Sequence, residues 1–347
     1  MESRLTDTVG ATAEAHDLPF DPALPGTALL QNPAQLRAVL SHRLENWLGP
    51  GSSLFDARVA VRHFFPGKRC SAELELLVGP TRGAPAERRR VLGKFYSDDH
   101  GAGVYDALSE LRRTGFDVGR FVVPRPLGYD VAHRLLLLEW TQGESLRARL
   151  AAAPPTREDV TDAAAWLLRL HTCGVTSGRQ YTRTRHIETL TGWMQQLTAR
   201  FPEGEQLLAD VLAGIRERGQ AHSDWQPGPT HRDFSPEHLV VSGDRVVGLD
   251  LDEFCQYDPL FDVAHFTAHL RFLGLTRFGT LQHFDPLIDD FIAAYRAGSV
   301  GDSAERRRLY EAIAFVKLGR FVVLVRSFPD WRQTLPVLLK HALQLVQ

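Results

Sequence analysis

The stretch Thr230-His231-Arg232-Asp233-Phe234-Ser235-Pro236-Glu237-His238-Leu239-Val240-Val241 decides the fold. It is followed closely by Val246-Val247-Gly248-Leu249-Asp250-Leu251-Asp252-Glu253-Phe254. The first half of the leading stretch is a polar loop that runs into an apolar strand. Ser242-Gly243-Asp244 then supplies a turn and Arg245 to Leu249 a second apolar strand, so the pair reads as a hairpin. Asp233 precedes the hairpin and Asp250 stands at its far end, which brings two carboxylates near one another on a rigid element. One acid placed as a base and the other as a metal ligand is the arrangement phosphoryl transfer requires.

These residues carry a resemblance. His-x-Asp followed by a hairpin that ends in Asp resembles the catalytic core of the aminoglycoside phosphotransferase and choline kinase-like family. Asp258-Pro259-Leu260-Phe261-Asp262-Val263-Ala264 extends the match to that family's Asp-Pro-x-x-Asp-Leu-Ala run. The resemblance implies an α+β, two-lobed protein-kinase-like fold, with a small antiparallel-sheet N-lobe and a larger helical C-lobe. It implies an ATP-dependent kinase that moves the γ-phosphate to a hydroxyl of a small acceptor, with Asp233 as catalytic residue and Asp250 on Mg²⁺. Asp262, by the same resemblance, holds the backbone of the His231–Asp233 loop. The chain departs from the family where a metal-binding Asn is usual, and carries His238 there. An imidazole suits softer metals than Mg²⁺, so His238 as a ligand would admit Mn²⁺. The other reading turns His238 away to hydrogen-bond the loop.

Bulk composition bounds the rest. At 347 residues, with 44% hydrophobic and 24% charged side chains, the chain is an ordinary globular protein with room for two lobes. Forty basic against 42 acidic side chains leave a formal charge of −2, so no global field favours nucleic acid or anionic membranes. Cys70, Cys173 and Cys255 are far apart and contain no CxxC pair, which argues for a reducing, cytoplasmic setting and against a structural zinc. No apolar run approaches membrane-spanning length, and the N-terminus has no signal-peptide pattern. Oligomeric state is not legible.

In chain order, residues 1–33 read as a loose acidic arm with room for a few docked residues, 34–140 as the N-lobe and 141–347 as the C-lobe. Pro33 to Trp47 has helical spacing, and strands follow around Val59 to Phe65 and Leu74 to Val78, with Lys68 and Arg69 at their turn. Val91-Leu92-Gly93-Lys94-Phe95-Tyr96 is a third strand; a lysine inside it needs an anionic partner or must snorkel. By resemblance Lys94 contacts the nucleotide phosphates. Its own partner stays open, because Asp106 and Glu110 lie opposite the apolar stripe of the following helix. Val123 to Tyr129 and Arg134 to Thr141 complete a five-stranded sheet. By resemblance Glu139, Trp140 and Thr141 form the hinge whose main chain binds adenine.

Beyond Thr141 the pattern is helical, with His171 a satisfied core histidine and segments 259–273, 284–297, 303–328 and 335–346 helix-like. The arginine triplets 88–90 and 306–308 read as solvated faces. His265 and His269 lie one turn apart as in a zinc protease helix, but Phe266 stands where the general base would be, which favours ordinary core or surface histidines. The sequence thus leaves an active kinase, a nucleotide-binding pseudokinase of the same fold, and a metal-dependent hydrolase built on His231, Asp233, His238, Asp250 and Asp252.

Overall fold

The computed structural model describes residues 20–80, 85–152, 155–221, 225–299 and 301–347. The chain separates into two compact units. One runs to Asp117 and includes Val123–Gln142; the other comprises Val118–Val122 and Gly143–Gln347.

The first unit is built on an antiparallel sheet. Its strands are β1 (Ser52–Phe65), β2 (Arg69–Pro80), β3 (Glu87–Tyr96), β4 (Pro126–Asp130) and β5 (Leu135–Glu139), in the order β1-β2-β3-β5-β4. Alternation does the work predicted from the pattern: Leu74, Leu76 and Val78 are buried on one face with Val91, Phe95, Leu135 and Leu137. Helix α1 (Pro33–Arg43), capped by the Asn32 side chain, adds Leu36 and Leu40 to this core. The described end of the acidic arm is docked, not loose, since Leu24, Leu29 and Leu30 join the same core. Residues 1–19 of the expected arm lie outside the described residues. Helix α2 (His100–Leu111) buries Val104, Ala107, Leu108 and Leu111 as its spacing requires.

One strand starts later than its apolar content suggests. β4 begins at Pro126 rather than Val123, because Pro124 cannot donate a ladder hydrogen bond, whereas a proline is tolerated as a strand's first residue. Phe121–Val122 instead pairs in parallel with a strand of the second unit.

The second unit is mainly helical: α3 (Arg157–Thr172), α4 (Arg183–Arg200), α5 (Glu205–Ala221), α6 (Leu260–Phe278), α7 (Asp285–Arg296), α8 (Ala304–Arg320) and α9 (Trp331–Val346). A Thr156 capping box with Asp159 starts α3. α9 begins earlier than expected and carries Pro336 inside, at the loss of one backbone hydrogen bond. In the second arginine triplet only Arg308 is exposed as expected: Arg306 and Arg307 keep only 12% and 14% side-chain exposure, beside Asp258 and Asp302. Among the described residues no helix is long and apolar enough to cross a membrane.

The hairpin is the unit's centre. β6 (Leu239–Ser242) and β7 (Arg245–Gly248) pair antiparallel, Leu239 opposite Gly248 and Ser242 opposite Arg245, with Gly243 at φ +63° in the turn. Trp166 of α3 is fully buried beneath it, donates Nε1–H to the Val122 carbonyl at 3.0 Å and stacks on Phe234 with centroids 5.6 Å apart. Gly248 lies against this indole so closely that a Cβ there would sit 1.9 Å from Trp166 Cζ2. Gly248→Ala is therefore expected to destabilise this unit by about 1–3 kcal/mol, the range for overpacking a filled core. A chemical-denaturation midpoint unchanged from wild type would show that the indole can move aside freely.

Candidate active site

The loop between Thr230 and the hairpin is fixed by its backbone. Asp262, fully buried in the first turn of α6, accepts the His231 N–H at 2.6 Å on Oδ2 and the Arg232 N–H at 2.7 Å on Oδ1. Its Oδ2 also lies 3.1 Å from His171 Nε2, and the other nitrogen of that ring is 2.8 Å from Tyr295 Oη. His171 is thus a satisfied core histidine, and Asp262 performs the loop-holding task that its motif implied. Arg232 sits at φ +64°, with its guanidinium 3.4 Å from the Tyr181 ring centroid in a cation–π contact.

His231 ties the loop to the far end of the hairpin. Its Nε2–H donates to the Leu249 carbonyl at 2.8 Å, so Nδ1 is the acceptor for the Asp233 N–H at 3.3 Å. Burial lowers its pKa and keeps the ring neutral, which this pattern needs. Asp250, next along from Leu249, takes the left-handed conformation at φ +58°, ψ +59°, one that Asp tolerates better than most residues.

His238 joins the two carboxylates. The short 3₁₀ turn Pro236–His238 aims its ring so that Nδ1 is 2.7 Å from the Asp233 carbonyl oxygen. A carbonyl only accepts, so Nδ1 carries the proton, and in the neutral ring Nε2 keeps its lone pair. That nitrogen is 3.6 Å from Asp250 Oδ2. The two readings of His238 are therefore not exclusive, for one nitrogen bonds the loop while the other faces the carboxylate. Asp233, His238 and Asp250 each offer a ligand atom within 4.8 Å of the others. Two carboxylates and one lone-pair nitrogen, with the second ring nitrogen anchored to backbone, fit a divalent cation.

One residue at the site escaped the reading of the sequence. Lys317 of α8 places Nζ 2.5 Å from Asp233 Oδ1, 3.1 Å from His265 Nε2 and 3.5 Å from the Arg232 carbonyl. The available signal was a single lysine in the apolar run Ala312 to Leu318, the same cost argument that singled out Lys94. Desolvation alone would raise the Asp233 carboxyl pKa, but the Lys317 charge outweighs it, with His238 and His265 adding to the effect. The carboxyl is held well below its usual range. His265 donates Nδ1–H to the Phe234 carbonyl at 2.9 Å and accepts from Lys317, and burial together with the lysine charge holds its pKa well below the usual histidine value. His269 packs on it with ring centroids 4.5 Å apart, its pKa lowered to about 3 chiefly by burial. This pair forms part of the packing behind Asp233 and not a zinc site.

The other expected residues lie in the first unit. Lys94 is half-buried on β3, opposite Ser71 of β2 and Leu136 of β5. Glu139 ends β5, and Trp140 and Thr141 follow it, with the Arg90 guanidinium 5.2 Å from the Trp140 ring. Asp106 is exposed on α2, as its place opposite the apolar stripe predicted.

Comparison with known proteins identifies the family. The chain matches the model of the phosphotransferase enzyme family over residues 86–311. Choline kinase from Cryptosporidium parvum superposes with a TM-score of 0.59 at 11% identity, covering 90% of this chain and 94% of that one. Aminoglycoside 2′-phosphotransferase-IIIa in its GDP complex gives 0.57 at 14% identity, covering 90% and 99%. Spectinomycin phosphotransferase in complex with ADP and spectinomycin gives 0.55 at 10% identity, covering 91% and 97%. At these identities the likeness establishes the kinase-like α+β fold. A comparison with curated protein sequences finds no match. A family match over well more than half the chain places it in the phosphotransferase enzyme family, as a small-molecule phosphotransferase with an alcohol group as acceptor.

Proposed function

We propose that the protein is a nucleoside-triphosphate-dependent kinase, with ATP as donor, that phosphorylates a hydroxyl of a small molecule in the cytoplasm. The observation that carries this reading is the grouping of Asp233, His238 and Asp250 at the two ends of one hairpin, with Lys317 on the first carboxylate. Lys317 occupies Asp233 Oδ1, which leaves Oδ2 to orient an acceptor hydroxyl and take its proton as the phosphoryl group is transferred. Asp250 and His238 would hold a divalent cation. When bound, such an ion offsets the charge of the nucleotide phosphates. Lys94 would contact those phosphates, and the main chain of Glu139–Thr141 would take the base. Two of the superposed enzymes were solved with GDP and ADP, which supports a nucleotide donor and leaves the base to experiment. The cytoplasmic assignment is supported by Cys70, Cys173 and Cys255, which make no disulfide.

The experiment is phosphoryl transfer from ATP and from GTP onto a panel of small alcohols, with Mg²⁺ and with Mn²⁺. Transfer to at least one alcohol is expected. Nucleotide binding without any transfer would instead identify a pseudokinase.

His238 gives a finer test. With Nε2 facing Asp250, Mn²⁺ should support at least as much activity as Mg²⁺, because it accepts nitrogen more readily. His238→Asn should keep or raise the Mg²⁺ rate and shrink the Mn²⁺ advantage. An unchanged metal preference would show that this ring is not at the metal.

A further inference from the structure

The charges around Asp233 bear on which alcohol can approach it. Lys317 touches the carboxylate at 2.5 Å and retains 30% side-chain exposure, so it is part of the surface an incoming acceptor meets. Arg320, one turn further along the same face of α8, donates Nε–H to Gln196 Oε1 of α4 at 2.9 Å. α4 itself carries Arg183, Arg185 and Arg200 against the single acid Glu188. An ammonium-bearing acceptor would need carboxylates here; Glu237 of the loop faces solvent with Arg147 3.9 Å away, and the following ones are already committed. Asp262 accepts two backbone N–H groups, and Asp258 accepts from Tyr310 Oη at 2.9 Å and the Leu260 N–H at 3.1 Å while almost fully buried. Glu253 is bonded to Arg179, and Glu311 receives Arg271 Nε at 2.9 Å. Asp233 is neutralised by Lys317, and Asp250 is the cation ligand of the proposed mechanism.

We propose that the acceptor carries no cationic amine beside its reacting hydroxyl, being a neutral or anionic compound of the sugar or hydroxy-acid kind, and that Lys317 sets this preference. The inference rests on the kinase reading above. A fixed ammonium repels another a few ångströms away by an amount that, at the intermediate dielectric of a half-exposed site, corresponds to about a tenfold change in rate or more.

The test uses the full chain with Mg²⁺ and ATP or GTP, and acceptor pairs that differ by one amine. Suitable pairs are glucose and glucosamine, glycerol and 3-amino-1,2-propanediol, and ethylene glycol and ethanolamine. The uncharged member of a pair that is turned over should have the higher kcat/KM, by about tenfold. Lys317→Met should lower overall turnover and bring that ratio towards one, whereas Lys317→Arg should preserve it. A higher kcat/KM for the amines in the wild type, or a ratio unmoved by Lys317→Met, would overturn this inference while leaving the kinase reading intact. Absence of transfer to every alcohol from either nucleotide would overturn both.

Discussion

Asp233→Asn is expected to lower phosphoryl transfer by about a thousandfold or more, within the span that a positioned general base contributes. The substitution keeps the shape and leaves an oxygen for the Lys317 N–H, so the loop should hold. What it removes is the oxygen able to take the acceptor's proton. Nucleotide affinity, measured by calorimetry in the presence of Mg²⁺, should change little. A structural rival exists, because Asp233 is also the counter-ion of Lys317, and the asparagine leaves that ammonium without its charge partner. The double variant Asp233→Asn/Lys317→Met separates the two. It restores charge balance and should recover stability, yet turnover should stay lost. Near-normal turnover in either variant would remove Asp233 from the chemistry.

Asp262→Ala should have the largest effect on stability. The carboxylate is completely buried and satisfies the amides of His231 and Arg232 together with the His171 ring. Its removal strands two buried donors, at about 1–3 kcal/mol each, so a loss of about 3 kcal/mol or more is expected in urea unfolding of this unit. The His231 and Arg232 amides should lose protection from hydrogen exchange, and turnover should fall because Asp233 is no longer held. Tyr295→Phe is the matched control: it deletes only the hydroxyl against His171 and should cost about 1 kcal/mol. Equal effects of the two substitutions would mean that the loop is held by something other than Asp262.

Much of this was legible from residues close in the chain. The hairpin, its turn and the two carboxylates at its ends follow from alternation around Gly243, since a strand's register is set by its neighbours and its turn. The helices follow from apolar spacing, and Lys94 on the third strand from the cost of a charge in an apolar run. Boundaries moved where proline intervened, at β4 and within α9. Which residues of the arm dock, Leu24, Leu29 and Leu30, went unread because a short segment without a period gives no sign of what it packs on.

What only the tertiary structure decided is which groups meet. Lys317 lies 84 residues from Asp233, on a helix whose own pattern says only that one face is apolar; the packing of α8 beside α6 carries its ammonium to the carboxylate. The proton on His238 is likewise settled by the Asp233 carbonyl, 2.7 Å from Nδ1, which leaves the lone pair of Nε2 facing Asp250. Gly248 is read from sequence as one more strand residue, and only the Trp166 indole beneath it shows why no side chain fits. The division follows from the range of the forces. Backbone geometry and side-chain periodicity act between neighbours and are written locally, whereas hydrogen bonds, ion pairs and close packing join residues that only the finished fold brings within a few ångströms.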